Sequence, residues 1–141
     1  MKVLIASDHA GYELKEALKE AFAQDFEWVD YGTFSTESVD YPDFAHKLAA
    51  DVANGSYQYG VLICGTGNGM AMSANKHAGI RAGLCWSKEI AALVRQHNNA
   101  NILVMPARFI PFETASEIVK TFFSTDFEGG RHQRRIDKIN L

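Results

Sequence analysis

The segment that most restricts the folds open to this chain is Tyr59–Lys76. There a run of strand-forming residues, Tyr59-Gly60-Val61-Leu62-Ile63-Cys64, passes with no linker into Gly65-Thr66-Gly67-Asn68-Gly69 and then into the helix-favouring stretch Met70–Lys76. A short apolar run without polar alternation suits a strand covered on both faces, and such strands occur where helices pack on both sides of a parallel sheet. The rest of the chain repeats the order. Lys2–Ser7 is a second such run, followed by the turn Asp8-His9-Ala10-Gly11 and by Tyr12–Gln24. In that stretch Leu14, Ala17, Leu18, Ala21 and Phe22 recur at helical spacing, with Glu13, Lys15, Glu16, Lys19 and Glu20 assigned to the opposite, solvent face. Further strands are expected at Glu27–Tyr31, Ile80–Cys85 and Asn101–Met105, and further helices at Phe44–Val52, Lys88–His97 and Phe112–Phe123, with a short one from Arg131. Asp40 or Asp43 is the expected cap of the Phe44–Val52 helix. This alternation predicts an α/β fold with one five-stranded parallel, doubly wound sheet and right-handed crossovers.

At 141 residues the chain has the size of one domain, and no repeat or linker divides it, so 1–141 is expected to form a single core. A 47% hydrophobic content excludes a disordered chain, and a formal charge of -3 excludes the overall basic field that collects nucleic acid or an anionic membrane surface. Any anion must therefore be held by local features. The N-terminal apolar run is short and stops at Asp8, unlike a signal-peptide core, and no run reaches the ~20 residues of a membrane span. Two cysteines, Cys64 and Cys85, are too few for a disulfide scaffold, and together these features predict a reducing, cytoplasmic setting.

In a doubly wound sheet ligands bind at the carboxyl ends of the strands. Asp8-His9, Cys64–Gly69 and Arg108 fall there, whereas His97-Asn98 ends a helix. Three glycines in Gly65–Gly69 let backbone approach a ligand and aim amides at an anion, though glycine geometry for a tight turn alone is the competing reading. The loop fits no dinucleotide, Walker or Cys-x5-Arg signature, because Met70 and Met72 stand where those patterns need Gly or Arg and no Gly-Lys-Ser/Thr follows. Cys64 precedes a helix N-terminus, a position that favours a thiolate, although a buried structural thiol is the alternative. Cys85 has no such loop after it and is expected to pack in the core or at the sheet edge. No HxxH, HExxH or CxxC spacing occurs, so no protein-held metal is expected, and His46 and His77 are expected at the surface. In the C-terminal segment 128–141, Arg131 and Arg135 lie four apart and share a helix face as two donors for a phosphate, with Arg134 pointing elsewhere. A solvated basic terminus is the other reading of those arginines.

Taken in order, Ser7-Asp8-His9-Ala10-Gly11, Asp40-Tyr41-Pro42, Ile63-Cys64-Gly65-Thr66-Gly67, Ala74-Asn75-Lys76, Gly79-Ile80-Arg81-Ala82, Arg95-Gln96-His97-Asn98 and Glu128-Gly129-Gly130-Arg131 resemble ribose-5-phosphate isomerase B and the galactose-6-phosphate isomerase subunits over nearly the whole chain. The resemblance implies a Rossmann-like three-layer α/β/α sandwich and an aldose–ketose isomerase without metal or cofactor. It also implies a homodimer or dimer of dimers whose active sites are shared between subunits. Carried over, Cys64 matches the base that moves a proton between C2 and C1 of an open-chain sugar, and the amides of Gly65, Gly67, Asn68 and Gly69 match the hole for the enediolate. Some relatives use a glutamate just after the loop; Met70 stands there, leaving Cys64 the sole candidate. Asn68 replaces an aliphatic residue common in the family. Thr66 and His97 match groups that assist ring opening, Asp8 and His9 contact hydroxyls or phosphate, and Asn98 holds the enediolate end. Arg108, Arg131 and Arg135 match the phosphate clamp, with His97, Asn98 and Arg108 expected from the neighbouring subunit. The implied substrate is ribose 5-phosphate with its ketose partner ribulose 5-phosphate. Galactose or allose 6-phosphate is the close alternative, and a non-catalytic sugar-phosphate sensor the distant one.

Overall fold

A computed structural model describes residues 1–140; Leu141, the last residue of the expected C-terminal segment, lies outside the described residues. Five strands, β1 (Lys2–Ser7), β2 (Glu27–Asp30), β3 (Gly60–Cys64), β4 (Ala82–Leu84) and β5 (Ile102–Pro106), form one sheet in the order β2-β1-β3-β5-β4. All pairings are parallel, with Leu4 beside Gly60 and Gly60 beside Ile102 in register. Side chains alternate between two cores. Val3, Ile5, Val61, Ile63, Leu103 and Met105 pack under α1 (Tyr12–Ala21), α4 (Lys88–Asn98) and α5 (Phe112–Ser124). Leu4, Ala6, Leu62, Cys64, Ile102 and Val104 pack under α2 (Tyr41–Ala53) and α3 (Asn68–Ala74). The expected three-layer α/β/α sandwich is therefore observed, and α6 (Arg131–Asp137) completes it against α4. Among the described residues no helix is long and apolar enough to cross a membrane.

Element boundaries moved for local reasons. Helix α2 begins at Tyr41 rather than Phe44, because Pro42 in its first turn is already set for helix and lacks the amide that turn would leave unpaired. Asp40 occupies the cap position, but its side chain makes no capping bond. Strand β4 is only Ala82–Leu84, since Ile80 closes a turn onto His77 and the Arg81 amide donates to the Asn101 side chain instead of a ladder.

The larger correction concerns Lys15, assigned above to the solvent face and found fully buried. Its ammonium donates to Asp30 at 2.5 Å and to Glu16 at 2.9 Å, and lies 5.4 Å from the Tyr12 ring and 5.3 Å from the Phe34 ring. Lys19 joins through Asp30 at 2.7 Å. Asp30 ends β2, and its other oxygen accepts the Gly32 amide at 2.9 Å, so the cluster ties α1 to the edge strand and to the start of the following loop. Burial acts to raise the Asp30 pKa, but the hydrogen bonds from Lys15, Lys19 and Gly32 outweigh it and hold the carboxyl below its ordinary 3.8. Such a group stabilises the fold fully above its unfolded pKa and loses that contribution as pH falls through the depressed folded value. Asp30→Asn is therefore expected to cost about 3 kcal/mol at neutral pH, the scale of a broken buried pair, and to flatten the fall in stability between about pH 5 and 2. Urea unfolding at stepped pH checks both.

Candidate active site

In a parallel sheet the loops that follow strands gather at the carboxyl edge, and the helices that return the chain end at the amino edge. The chemistry-bearing residues divide accordingly. At the carboxyl edge Asp8, His9, Ala10, Tyr41, Cys64, Gly65, Thr66, Gly69 and Arg108 line one cavity of about 300 Å3. Its walls are set by the ladder ends: the Asp8 amide donates to the Ile63 carbonyl at 3.2 Å, Ala107 to Cys64 at 2.9 Å and Arg108 to Gly65 at 3.0 Å. Asp8 is buried and spends Oδ1 on the amides of Ala10 and Gly11, capping the short turn His9–Gly11. His9 accepts the Val39 amide on Nδ1 at 3.2 Å, which places the neutral ring's proton on Nε2 and makes that atom a donor.

Gly67 caps α3 with φ +78, and a Cβ there would run into the Leu84 side chain and press on the Met105 carbonyl. The first-turn amides of α3 have no intrahelical acceptor. One is already committed, since Asn68 donates its amide to Thr66 Oγ1 at 3.2 Å. The amides of Gly69 and Met70 remain, and of these two residues Gly69 lines the cavity. Met70 itself is fully buried in the core under α2 and α3, so its side chain takes no part. Cys64, at the end of β3, is 4% exposed and belongs to the same core face. Cys85 has no exposed surface, its thiol meets only the Gly83 carbonyl at 3.7 Å, and burial pushes its pKa up to about 12, in line with a packing role.

His97, Asn98, Arg131 and Arg135 lie elsewhere. Together with His132, Ile136 and Ile139 they line a cavity of about 390 Å3 where α6 packs on the C-terminal end of α4. That end lies at the amino edge: Ala100 and Asn101 follow directly and lead into β5, with Asn101 donating to the Arg81 carbonyl just before β4. Five-residue strands at about 3.3 Å per residue put roughly 15 Å of sheet between the two groups. The two linings share no residue. Arg108, expected from a neighbouring subunit, instead stands in this chain's own Cys64 cavity, because its amide is held by Gly65.

Arg95 holds the amino-edge group in place. It is buried, donates to the carbonyls of Thr125 at 3.2 Å and Ala100 at 2.7 Å and to the Asn99 side chain at 2.9 Å, and stacks over Tyr59 and Phe122. Asn99 ends α4 in the left-handed region at φ 48, and the Glu128 amide donates to the Gln96 carbonyl at 3.1 Å. Spacing motifs missed Tyr41 as a cavity residue, although it stands in a segment quoted above. They also missed that His97, Glu128 and His132 converge, with donor atoms within 4.8 Å of one another, since the absence of HxxH, HExxH and CxxC spacings speaks only of neighbours in sequence and these side chains meet where α6 packs on α4. His46 and His77 are at the surface as expected, but meet each other at 2.8 Å.

A family model described as Ribose/Galactose Isomerase matches residues 3–139. A putative sugar phosphate isomerase of Bacillus subtilis is 46% identical, over 99% of this chain and 95% of its own. A crystal structure of a ribose 5-phosphate isomerase from Thermotoga maritima superposes with a TM-score of 0.96 at 53% identity, covering 99% of this chain and 97% of that one. A ribose-5-phosphate isomerase B from Mycoplasma genitalium, solved with bound ribulose-5-phosphate, gives 0.93 at 47%, covering 98% and 93%.

The loop glycines are expected to respond differently to alanine. Gly67→Ala meets core atoms at a positive φ and should cost about 1–3 kcal/mol of stability. At Gly65 the atoms nearest a Cβ belong to the flexible Arg108 side chain, at 3.2–3.3 Å, so Gly65→Ala should leave the melting temperature nearly unchanged while displacing that guanidinium. Thermal melts of the two variants distinguish the cases.

Proposed function

The chain belongs to the ribose/galactose isomerase family, and from that premise we propose that it interconverts ribose 5-phosphate and ribulose 5-phosphate by proton transfer through an enediolate. The observation that carries the reading is Cys64, held by β3 in the wall of a cavity that also presents Thr66, Gly69 and Arg108. The reaction needs a base beside C2 and C1, donors where the enediolate charge develops, a group that opens the sugar ring, and a distant anchor for the phosphate. Cys64 is the base, and the free first-turn amides of α3 with the Gly65–Gly69 backbone receive the oxyanion. Asp8 and the Nε2–H of His9 bind sugar oxygens. The solved relative that holds ribulose-5-phosphate supports the five-carbon substrate over the six-carbon alternative.

His97 and Thr66 assist ring opening, Asn98 steadies the enediolate end, and Arg131 and Arg135 anchor the phosphate together with Arg108. Two of these sets stand at opposite edges of one sheet, so in our reading a working site combines the carboxyl edge of one chain with the amino edge of a second copy. This replaces the earlier division: Arg108 belongs with Cys64, and His97, Asn98, Arg131 and Arg135 come from the neighbour. Large apolar side chains left at the surface, including Phe34, Met72, Trp86 and Phe109, suit such a contact. Two unpaired thiols fit a reducing, cytoplasmic setting.

Cys64→Ala is expected to lower kcat by about 10^2–10^4, the range of a lost general base, with KM little changed. Near wild-type turnover would remove Cys64 from the mechanism. Side-by-side kcat/KM for ribose 5-phosphate and for galactose and allose 6-phosphates should favour the pentose. Sharing of sites is tested by refolding inactive Cys64→Ala and His97→Ala chains together. A mixed dimer then holds one intact site, and the mixture should regain about a quarter of wild-type activity; sites complete within one chain would regain none.

A further inference from the structure

At the junction of α4 and α6, two imidazoles and a carboxylate from separate parts of the sequence meet. His132 is 7% exposed, its Nε2 is 3.4 Å from Glu128 Oε1, and its ring stacks on His97 with centroids 4.4 Å apart and planes 16° apart. The donor atoms of all three lie within 4.8 Å of one another. Two imidazoles with one carboxylate are a donor set that Zn2+ takes in three-ligand sites, leaving a fourth position open. Donors about 2.0–2.1 Å from a tetrahedral ion stand about 3.3 Å apart, which the His132–Glu128 pair already matches. The Glu128 backbone is pinned to Gln96 one residue before His97, and its side chain is exposed, so an ion has an approach.

We propose that a divalent first-row metal ion, Zn2+ by donor chemistry, binds His97, Glu128 and His132 and thereby withdraws His97 from the isomerase reaction. An imidazole binds metal in its own plane, and two nearly parallel stacked rings cannot both point at one ion. Binding therefore turns His97 out of the stack and moves its ring from the place it takes in the reading above. Arg131 and Arg135 share the cavity and repel a dication, so the ion is an inhibitor that comes and goes, held more tightly when an anion sits on the two guanidiniums. The binding half of the proposal stands on the convergence of the three donors together with a turn of the His97 ring; the inhibitory half rests on the role given to His97 above.

Equilibrium dialysis of the full-length protein against ZnCl2, with Co2+ absorption as a spectroscopic probe of the ligand set, tests it. One Zn2+ per chain is expected in the wild type and in Cys64→Ala, the variant that removes the competing thiol. Glu128→Gln is at the surface and should fold normally; it and His132→Ala are expected to weaken Zn2+ by more than about tenfold, the least that loss of even an outer-shell partner costs. Glu128→Gln should also keep its metal-free activity and need a correspondingly higher ZnCl2 concentration for inhibition. Binding lost in Cys64→Ala but kept in Glu128→Gln, or no saturable binding at millimolar ZnCl2, would overturn the site. Binding as expected with no loss of turnover would overturn the inhibitory half and point at His97, leaving the metal site standing.

Discussion

All five strands run the same way, because each connection between neighbours is a helical crossover rather than a hairpin, and a parallel sheet so built has two unlike edges. One edge collects strand ends, with backbone amides free to be shaped into turns. The other collects helix ends and the starts of strands. Cys64, Asp8 and Arg108 are at the first because each ends or follows a strand; His97 and Asn98 are at the second because they finish a helix. No rearrangement of loops brings these groups together while the ladder stands.

Within the carboxyl-edge cavity, precision comes from the sheet rather than from side chains propping one another. The Ile63, Cys64 and Gly65 carbonyls each accept an amide from a neighbouring strand's exit, so three loops are fixed to one ladder. At the amino edge the scaffold is a side chain instead: Arg95 joins the end of α4, the segment after α5 and the aromatic face beneath them. The Lys15–Asp30 cluster anchors one side of the sheet, tying α1 to β2, one of its two edge strands.

Much of this was legible in the sequence. The unbroken apolar runs of β1, β3 and β5 announce strands with both faces covered, and Gly65–Gly69 marks the sharpest turn. The arginines four apart in α6 do share a cavity, and Arg134 does not line it. What was hidden depended on partners far away in the chain. Lys15 resembles any solvated helix lysine until Asp30, fifteen residues on, is set beside it by strand pairing. His132 is likewise an ordinary basic-tail residue until α6 lies on α4. Helical periodicity reports which face is apolar, and is silent about a charge that crosses that face to a buried counter-ion. The edge on which His97 falls was also invisible locally, since it follows from strand direction rather than from any motif.

The two thiols differ in a way that makes the native protein its own reporter. Cys85 has no surface and a thiol held far from ionisation, whereas Cys64 faces a cavity. A small thiol-directed reagent therefore meets, in each folded chain, a single addressable sulfur, and the second becomes countable only when the chain opens. The label consumed before and after denaturation then measures folded Cys64 cavities and total protein in one sample, with no substrate needed.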